Sequence, residues 1–138
     1  MSLADTRFET RRRTLASELA AQRIDDMLLT HLTHVRYFSG FTGSNGALMV
    51  SKDRSAAIAT DGRYTTQIAA EVPDIEASIT RAMATGLLSR VAEGHRVGFE
   101  ADFVSVAQLA KLEAACPEGV TLVPISGAVE EIRLHRQR

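Results

Sequence analysis

The residues best suited to chemistry crowd into one stretch, Thr33 to Tyr64: THVRYFSGFTGSNGALMV, a polar turn, then AAIATDGRY. Gly40, Gly43 and Gly46 stand three apart. A phosphate cradle uses such glycines, but it needs a strand before them and a helix after them, whose N-terminal amides hold the anion. Here a helical pattern precedes the glycines, an apolar strand pattern follows, and no Gly-Lys-Ser/Thr is present. Nucleotide binding is therefore not indicated. The expected role is a tight connector whose glycines allow positive φ. Such a connector also brings short polar side chains close to a ligand, which keeps a binding role open for Ser44 and Asn45.

Other candidates assemble less. His31 and His34 form a His-x-x-His pair, without the four-residue spacing and intervening glutamate of the zinc-peptidase signature. Surface or supporting histidines are the expectation, not metal ligands. Asp25, Asp26, Asp61, Glu100 and Asp102 fall near strand ends, where an α/β fold could gather acids for a metal-dependent nuclease. Yet Asp61 is better placed as a helix cap, and Asp25-Asp26 as a turn. No serine has a Gly-x-Ser-x-Gly setting. Cys116 is the single cysteine, so no internal disulfide forms, and it is expected half-buried at a helix end. Arg36-Tyr37 and Arg63-Tyr64 are expected to be structural. Their rings enter the core with each hydroxyl partnered, and their guanidinium groups pair with acids including Asp61. No catalytic constellation and no metal site is expected in this chain.

The positioning elements follow from periodicity. Phe8, Leu15 and Leu19 make Asp5–Gln22 an amphipathic helix, with Arg11, Arg12 and Arg13 fanned over its solvated surface. Met27–Leu29 suits a buried strand. Thr33 is the expected N-cap of a short helix carrying Val35, Tyr37 and Phe38, and Gly40 ends it. Ala47–Val50 and Ala56–Thr60 flank a polar turn as a hairpin. Asp61 caps a helix with Tyr64, Ile68 and Val72 four apart, stopped by Pro73. Next come a strand at Ile75–Ile79, a helix at Met83–Ala92 ended by Gly94, and a strand at Arg96–Glu100. A helix capped by Ser105 follows, with Val106, Leu109 and Leu112 on one face. A strand at Val120–Val123 and a helix from Gly127 complete the order. This predicts an α/β fold with a mixed sheet of about six strands and helices on both faces.

The 138 residues suit one domain, and 45% hydrophobic with 24% charged residues is an ordinary soluble composition. A net charge of -1 gives no general attraction to nucleic acid or to anionic membrane. No apolar run approaches a membrane span, and the N-terminus has no secretion-signal core, so a soluble cytoplasmic protein is expected. The tail from Val129 is amphipathic and lacks a helix stop signal. That suits a natural terminus, and equally the boundary of a domain within a longer chain.

THVRYFSGFTGSNGALMV followed by ATDGRYTTQIAAEVPD resembles the N-terminal domain shared by creatinase, prolidase and Xaa-Pro aminopeptidases. In that family the region typically reads N-x-R-Y-L-T-G-F-x-G-S-x-G, then T-D-G-R-Y. The opening Arg-rich helix, the R-V-G-F-E strand and the closing V-E-E-I-R extend the likeness over nearly the whole chain. G-S-N-G together with D-G-R-Y favours bacterial Xaa-Pro peptidases over creatinase. His34 departs from the family's usual Asn.

The resemblance implies a ribonuclease-H-like fold over 5–127, with 128–138 beginning the linking helix to a C-terminal pita-bread catalytic domain absent from this chain. That domain would hold two divalent metals, Mn²⁺ or Co²⁺, on two Asp, one His and two Glu, and would cleave the bond before proline. It also implies a homodimer in the parent and a proline-containing peptide substrate. By similarity to creatinase, Phe41, Ser44 and Asn45 would edge the substrate site. Arg36, Tyr37, Asp61, Arg63 and Tyr64 would support that loop or an interface. An alternative is a stand-alone module binding a small molecule or peptide, with the same fold and no catalytic partner.

Overall fold

β1 (Asp26–Leu29) lies at the middle of the architecture because its Met27, Leu28 and Leu29 are apolar on both faces and fully buried. A strand covered on two sides shows a continuous apolar run and not an alternating one. The structure, a computed structural model, describes residues 6–135. The expected helix start at Asp5 and the tail residues 136–138 lie outside the described residues.

The elements in chain order are α1 (Arg7–Ala21), β1, α2 (Leu32–Ser39), β2 (Ala47–Ser51), β3 (Ala56–Thr60), a 3₁₀ turn (Gly62–Tyr64), α3 (Thr65–Glu71), β4 (Glu76–Ile79), α4 (Met83–Leu88), β5 (Arg96–Glu100), α5 (Val106–Ala115), β6 (Thr121–Ile125) and α6 (Ala128–His135). They form one six-stranded sheet in the order β4-β3-β2-β1-β5-β6. β2 runs antiparallel to β1 and β3, while β3–β4, β1–β5 and β5–β6 pair in parallel, so the sheet is mixed as expected.

Two cores cover its faces. Met27, Leu29, Leu48, Val50 and Ile58 pack against Leu15 and Leu19 of α1, Phe38 of α2, Ile68 of α3 and Val129 of α6. Leu28, Ala47, Met49 and Ala59 point to the other face, against Leu87 and Leu88 of α4 and Leu112 of α5. The two sets alternate along each strand, as the two-residue period of a strand requires.

Several local signals hold. Gly40 takes φ 86° at the end of α2, and a Cβ there would lie 2.8 Å from the Phe8 ring. Ser105 and Gln108 form a reciprocal capping box at the start of α5. Pro124 is tolerated because β6 is an edge strand.

Others are corrected. Thr33 lies inside α2; His31 is the N-cap residue, and its side chain makes no cap bond. α4 ends at Leu88, four residues before the expected Ala92, and Ser89 Oγ donates to Gly86 O at 2.8 Å where the helix stops. Val106 starts α5 but is 88% exposed, facing away from the side that buries Leu112. β6 begins one residue later than expected and continues to Ile125.

The arginine run is not a uniform solvated surface. Arg12 is buried, donating to Phe38 O at 2.8 Å and to Asp74 at 2.5 Å, and so ties α1 to the end of α2 and to the turn before β4. Arg13 stays exposed. Arg12→Ala is expected to lower the unfolding free energy by about 2 kcal/mol, because a charge-assisted bond is lost and Phe38 O is left without that donor. Arg13→Ala should change it by less than about 0.5 kcal/mol. Urea denaturation of the two variants distinguishes them.

Candidate functional site

β2 begins and β3 ends at the same end of the sheet, so their antiparallel register brings the loop before β2 against Asp61, just after β3. Thr60 Oγ1 donates to Asn45 O at 2.6 Å, and Asn45 Nδ2 donates to Asp61 Oδ2 at 3.1 Å. Asp61 also caps the 3₁₀ turn. It accepts from the Arg63 amide at 3.0 Å and from the Arg63 guanidinium at 3.0 and 2.9 Å. The Arg63 guanidinium holds the Asp61 carboxyl well below the usual carboxylate range, with the Arg63 amide and Asn45 adding to it.

The glycine loop rests on an aromatic floor. Phe41 is 1% exposed and meets the Tyr64 ring edge-on, centroids 5.6 Å apart. The loop folds back over this ring so closely that a Cβ at Gly43 would lie 2.2 Å from Phe41 Cζ. Only glycine fits there. Tyr64 then reaches the loop tip from below: its hydroxyl accepts from the Ser44 amide at 3.2 Å and lies 2.5 Å from Ser44 Oγ. The bond to the Ser44 hydroxyl, followed by that from the Ser44 amide, lowers the Tyr64 phenol from its ordinary value, and Arg63 acts in the same direction. Ser44 is exposed at the tip, and Asn45 is half-buried beside it.

A second brace comes from α3. Glu71 accepts from the Thr42 amide at 2.9 Å and from the Thr42 hydroxyl at 2.7 Å, and Gln67 Nε2 donates to Thr42 Oγ1 at 2.9 Å. Desolvation pushes the Glu71 carboxyl upward, but the bonds from Thr42 and Gln67 outweigh it and leave the group lowered. Sequence reasoning missed this brace. Its signal was the four-residue spacing of Gln67 and Glu71, which puts both on one face of α3.

The structure thus gathers Phe41, Ser44, Asn45, Asp61, Arg63 and Tyr64, with Phe41 corrected from an edge to a buried floor. Arg36 and Tyr37 stand apart on α2. Arg36 is exposed and acts on Glu71 through space. Tyr37 is buried under the Arg11 guanidinium, 4.0 Å from its ring centroid, and its hydroxyl has no hydrogen-bond partner among the described residues. The expected partner for that hydroxyl is missing because the ring is fixed by Arg11 above and by the edge of Phe38 at 4.9 Å.

The remaining acids do not converge. Asp25 pairs with Lys52 and accepts from the Arg96 amide, while Asp26 is buried between Ser51 and His95, all at the other end of the sheet. They are bonding residues at the start of the central strand β1 and not a simple turn. Of the two places expected for His34, surface or supporting, it takes the second: it is buried against Glu100. Cys116 is half-buried at the end of α5, as expected, and burial raises its thiol pKa. Among the described residues no group of three or more His, Cys, Asp or Glu is arranged to hold a metal ion. No described helix is long and apolar enough to cross a membrane.

The lowered carboxylates set an acid limit. Asp25, Asp53, Asp61 and Glu71 all have folded-state pKa values below their ordinary values. The unfolded chain therefore binds more protons in this range, so these groups stabilise the fold above about pH 4 and lose that contribution as pH falls. Thermal unfolding followed from pH 6 to pH 2 should show a falling Tm below about pH 4.5. Arg63→Ala should flatten part of the slope by removing the main partner of Asp61.

Sheet order, loop and bracing define an α/β domain that presents a polar loop at one end of a mixed sheet. The sequence profile of the Creatinase/Prolidase N-terminal domain matches residues 11–135, and the chain belongs to that family. It is 37% identical over 116 residues to the uncharacterized peptidase YqhT of Bacillus subtilis, covering 80% of this chain and 32% of that protein. The chain therefore spans about a third of the length of that relative.

The creatinase/prolidase-like N-terminal domain from Corynebacterium diphtheriae has the same fold at 58% identity and a TM-score of 0.87, over 89% of this chain and 99% of that one. The N-terminal domain of cytoplasmic peptidase PepQ from Mycobacterium tuberculosis follows at 45% and 0.86, over 90% and 98%. The Xaa-Pro dipeptidase of Bacillus anthracis contains it at 27% and 0.74, over 92% of this chain and 35% of that chain.

Proposed function

We propose that this chain is the non-catalytic N-terminal domain of a cytoplasmic, metal-dependent Xaa-Pro peptidase, where it shapes the rim of the substrate site and takes part in subunit assembly. The observation that carries the reading is the glycine loop. Its tip carries the short polar side chains of Ser44 and Asn45, held in place by Tyr64 and Asp61, while Tyr64 and Glu71 also accept from the Ser44 and Thr42 amides and the Phe41 ring lies against Tyr64 beneath. Fixed short polar groups on a rigid base suit contact with a peptide backbone, because little ordering entropy is lost on binding. The Xaa-Pro peptidases among the similar structures support the substrate class proposed here, peptides with proline after the scissile bond.

Among the described residues no group of three or more His, Cys, Asp or Glu is arranged for a metal ion, and this reading assigns both divalent metals and the bond cleavage to a C-terminal catalytic domain. The 138-residue chain alone is expected to hydrolyse no Xaa-Pro dipeptide or longer Xaa-Pro peptide, with or without Mn²⁺. Release of the N-terminal amino acid, followed by chromatography, checks this, and metal-dependent turnover by the pure chain would overturn the assignment. Reading the gene past Arg138 tests the other half. An open frame with two Asp, one His and two Glu supports a peptidase parent, and an immediate stop codon favours a stand-alone binding module.

A further inference from the structure

Asn45 is the only asparagine of the chain, and a glycine follows it. Packing calls for that glycine, because a Cβ at position 46 would stand 3.2 Å from Ala59 O and 3.2 Å from the Phe41 ring. Asparagine is among the thermally labile residues. Its route of decay is attack by the next residue's amide nitrogen on its own side-chain carbonyl, and a following glycine has no side chain to shield that nitrogen. The peptide unit between Asn45 and Gly46 therefore decides whether the loop tip is inert.

Both polar ends of that unit are arranged for the reaction. Its N–H is free: the β2–β3 register begins at Ala47↔Ala59, and among the described residues the Gly46 amide donates to no acceptor. Its oxygen is engaged, with Thr60 Oγ1 donating to Asn45 O at 2.6 Å. When the Gly46 nitrogen loses its proton, the charge spreads through the amide onto that oxygen, where Thr60 already supplies a donor. A donor fixed before the charge develops stabilises it without reorganisation. Thr60 is fully buried, so its hydroxyl is held in place, while Asn45 is half-buried beside the exposed Ser44, where water has access. The Asp61–Gly62 step differs. Its carboxylate accepts twice from the Arg63 guanidinium, and an ionised carboxylate carries no leaving group. One contact opposes the reaction at Asn45: Nδ2 donates to Asp61 Oδ2 at 3.1 Å and restrains the side chain that must close onto the nitrogen.

We propose that Asn45–Gly46 is a self-modification site, at which water converts Asn45 to aspartate and isoaspartate. Hydroxide takes the Gly46 amide proton, the nitrogen bonds to Asn45 Cγ, and the Cγ–Nδ2 bond breaks. The departing nitrogen takes a proton from water, which restores the hydroxide, and leaves as ammonia. Water then opens the cyclic imide. Opening at Cγ returns aspartate, and opening at the main-chain carbonyl gives isoaspartate. Nothing is oxidised or reduced. Either product replaces the Nδ2 donor by a carboxylate beside Asp61, and two like charges at that distance repel. The loop tip is thereby released from Asp61. The chemistry needs neither substrate nor a second domain, so it stands or falls apart from the peptidase reading.

Incubation of the full chain at mildly alkaline pH tests the site. It is followed by mass spectrometry of the tryptic peptide Tyr37–Lys52, with fragmentation that separates isoaspartate from aspartate and a digest of fresh protein as control. The expected result is an amide-to-acid mass gain at residue 45 of the folded chain. Amide NMR signals of Ser44 and Arg63 should move with it, while those of Leu28 and Val97 stay. Thr60→Val, which keeps the side-chain shape, should slow the gain about tenfold, and Asp61→Ala should speed it by a similar factor, each the size of one hydrogen bond to a charged group. Asn45 left intact in the folded chain after the urea-unfolded chain has converted would overturn the proposal, and so would an unchanged rate in Thr60→Val. The first comparison uses the unaltered protein and so does not depend on either variant folding.

Discussion

Glu100→Ala is expected to lower the unfolding free energy by about 3–5 kcal/mol, the cost of breaking a buried charged network by removing one partner. Glu100 ends β5 and is 3% exposed. One of its oxygens accepts from the Thr30 amide at 2.8 Å and the His31 amide at 2.9 Å, and the other pairs with His34 Nδ1. These two amides lie at the start of α2, where no side chain of α2's own N-cap makes a bond. A carboxylate from another strand therefore does the work of a cap, and its charge favours the positive end of the helix.

Alanine leaves both amides and a buried imidazole nitrogen without that acceptor. Glu100→Gln should cost clearly less. Its carbonyl can still accept from the two amides, and its NH₂ can face His34 Nδ1 once the ring takes the opposite tautomer. Urea denaturation of both variants checks the order, and a loss under about 1 kcal/mol for Glu100→Ala would show that water replaces the carboxylate.

This network also marks where sequence reasoning stops. Asp61, Ser105 and Gly40 were legible because a cap or a left-handed helix end is settled by residues within three or four positions. The β2–β3 hairpin was legible because one polar turn separates two apolar runs. Arg12 and Asp74 lie 62 residues apart, and His34 and Glu100 lie 66 apart. Nothing in a local pattern ties such pairs together, so Arg12 looked solvated and His34 stayed open between a surface and a supporting place. Both are buried because the sheet order places β5 beside β1, and α1 across the end of α2.

The same limit explains the misplacement of Phe41. Glycines three apart mark a tight connector, and nothing in that spacing says which of its side chains turns inward. The loop instead turns back on itself, so its largest apolar side chain lies under it. The tip was legible because Ser44 and Asn45 are short and polar. The floor was not, because a ring beneath a loop leaves no periodic trace.

Phe41→Ala should carry the second large effect, about 3–5 kcal/mol for emptying a buried aromatic site. It should also separate fold from loop. The ring touches Tyr64 on one side and carries the backbone of Gly43 and Gly46 on the other, where a Cβ would stand 2.2 and 3.2 Å from ring atoms. Without it the loop keeps its polar anchors to Tyr64, Asp61 and Glu71 but loses the surface it lies on. Amide hydrogen exchange at Ser44 and Asn45 should accelerate more than the global loss of stability accounts for, while Leu28 and Val97 in the sheet follow the global change.

Tyr64→Phe provides the complement. It removes the hydroxyl that Ser44 bonds and leaves both rings, so it should cost only about 1 kcal/mol globally yet release the Ser44 amide. If Phe41→Ala changed exchange uniformly across loop and sheet, the ring would be a core residue and no more. If Tyr64→Phe left the Ser44 amide protected, the tip would be held by its glycines alone. The expected pattern, a loop loosened from below by one variant and from its tip by the other, makes rigidity of Ser44 and Asn45 a property that Phe41 and Tyr64 supply jointly.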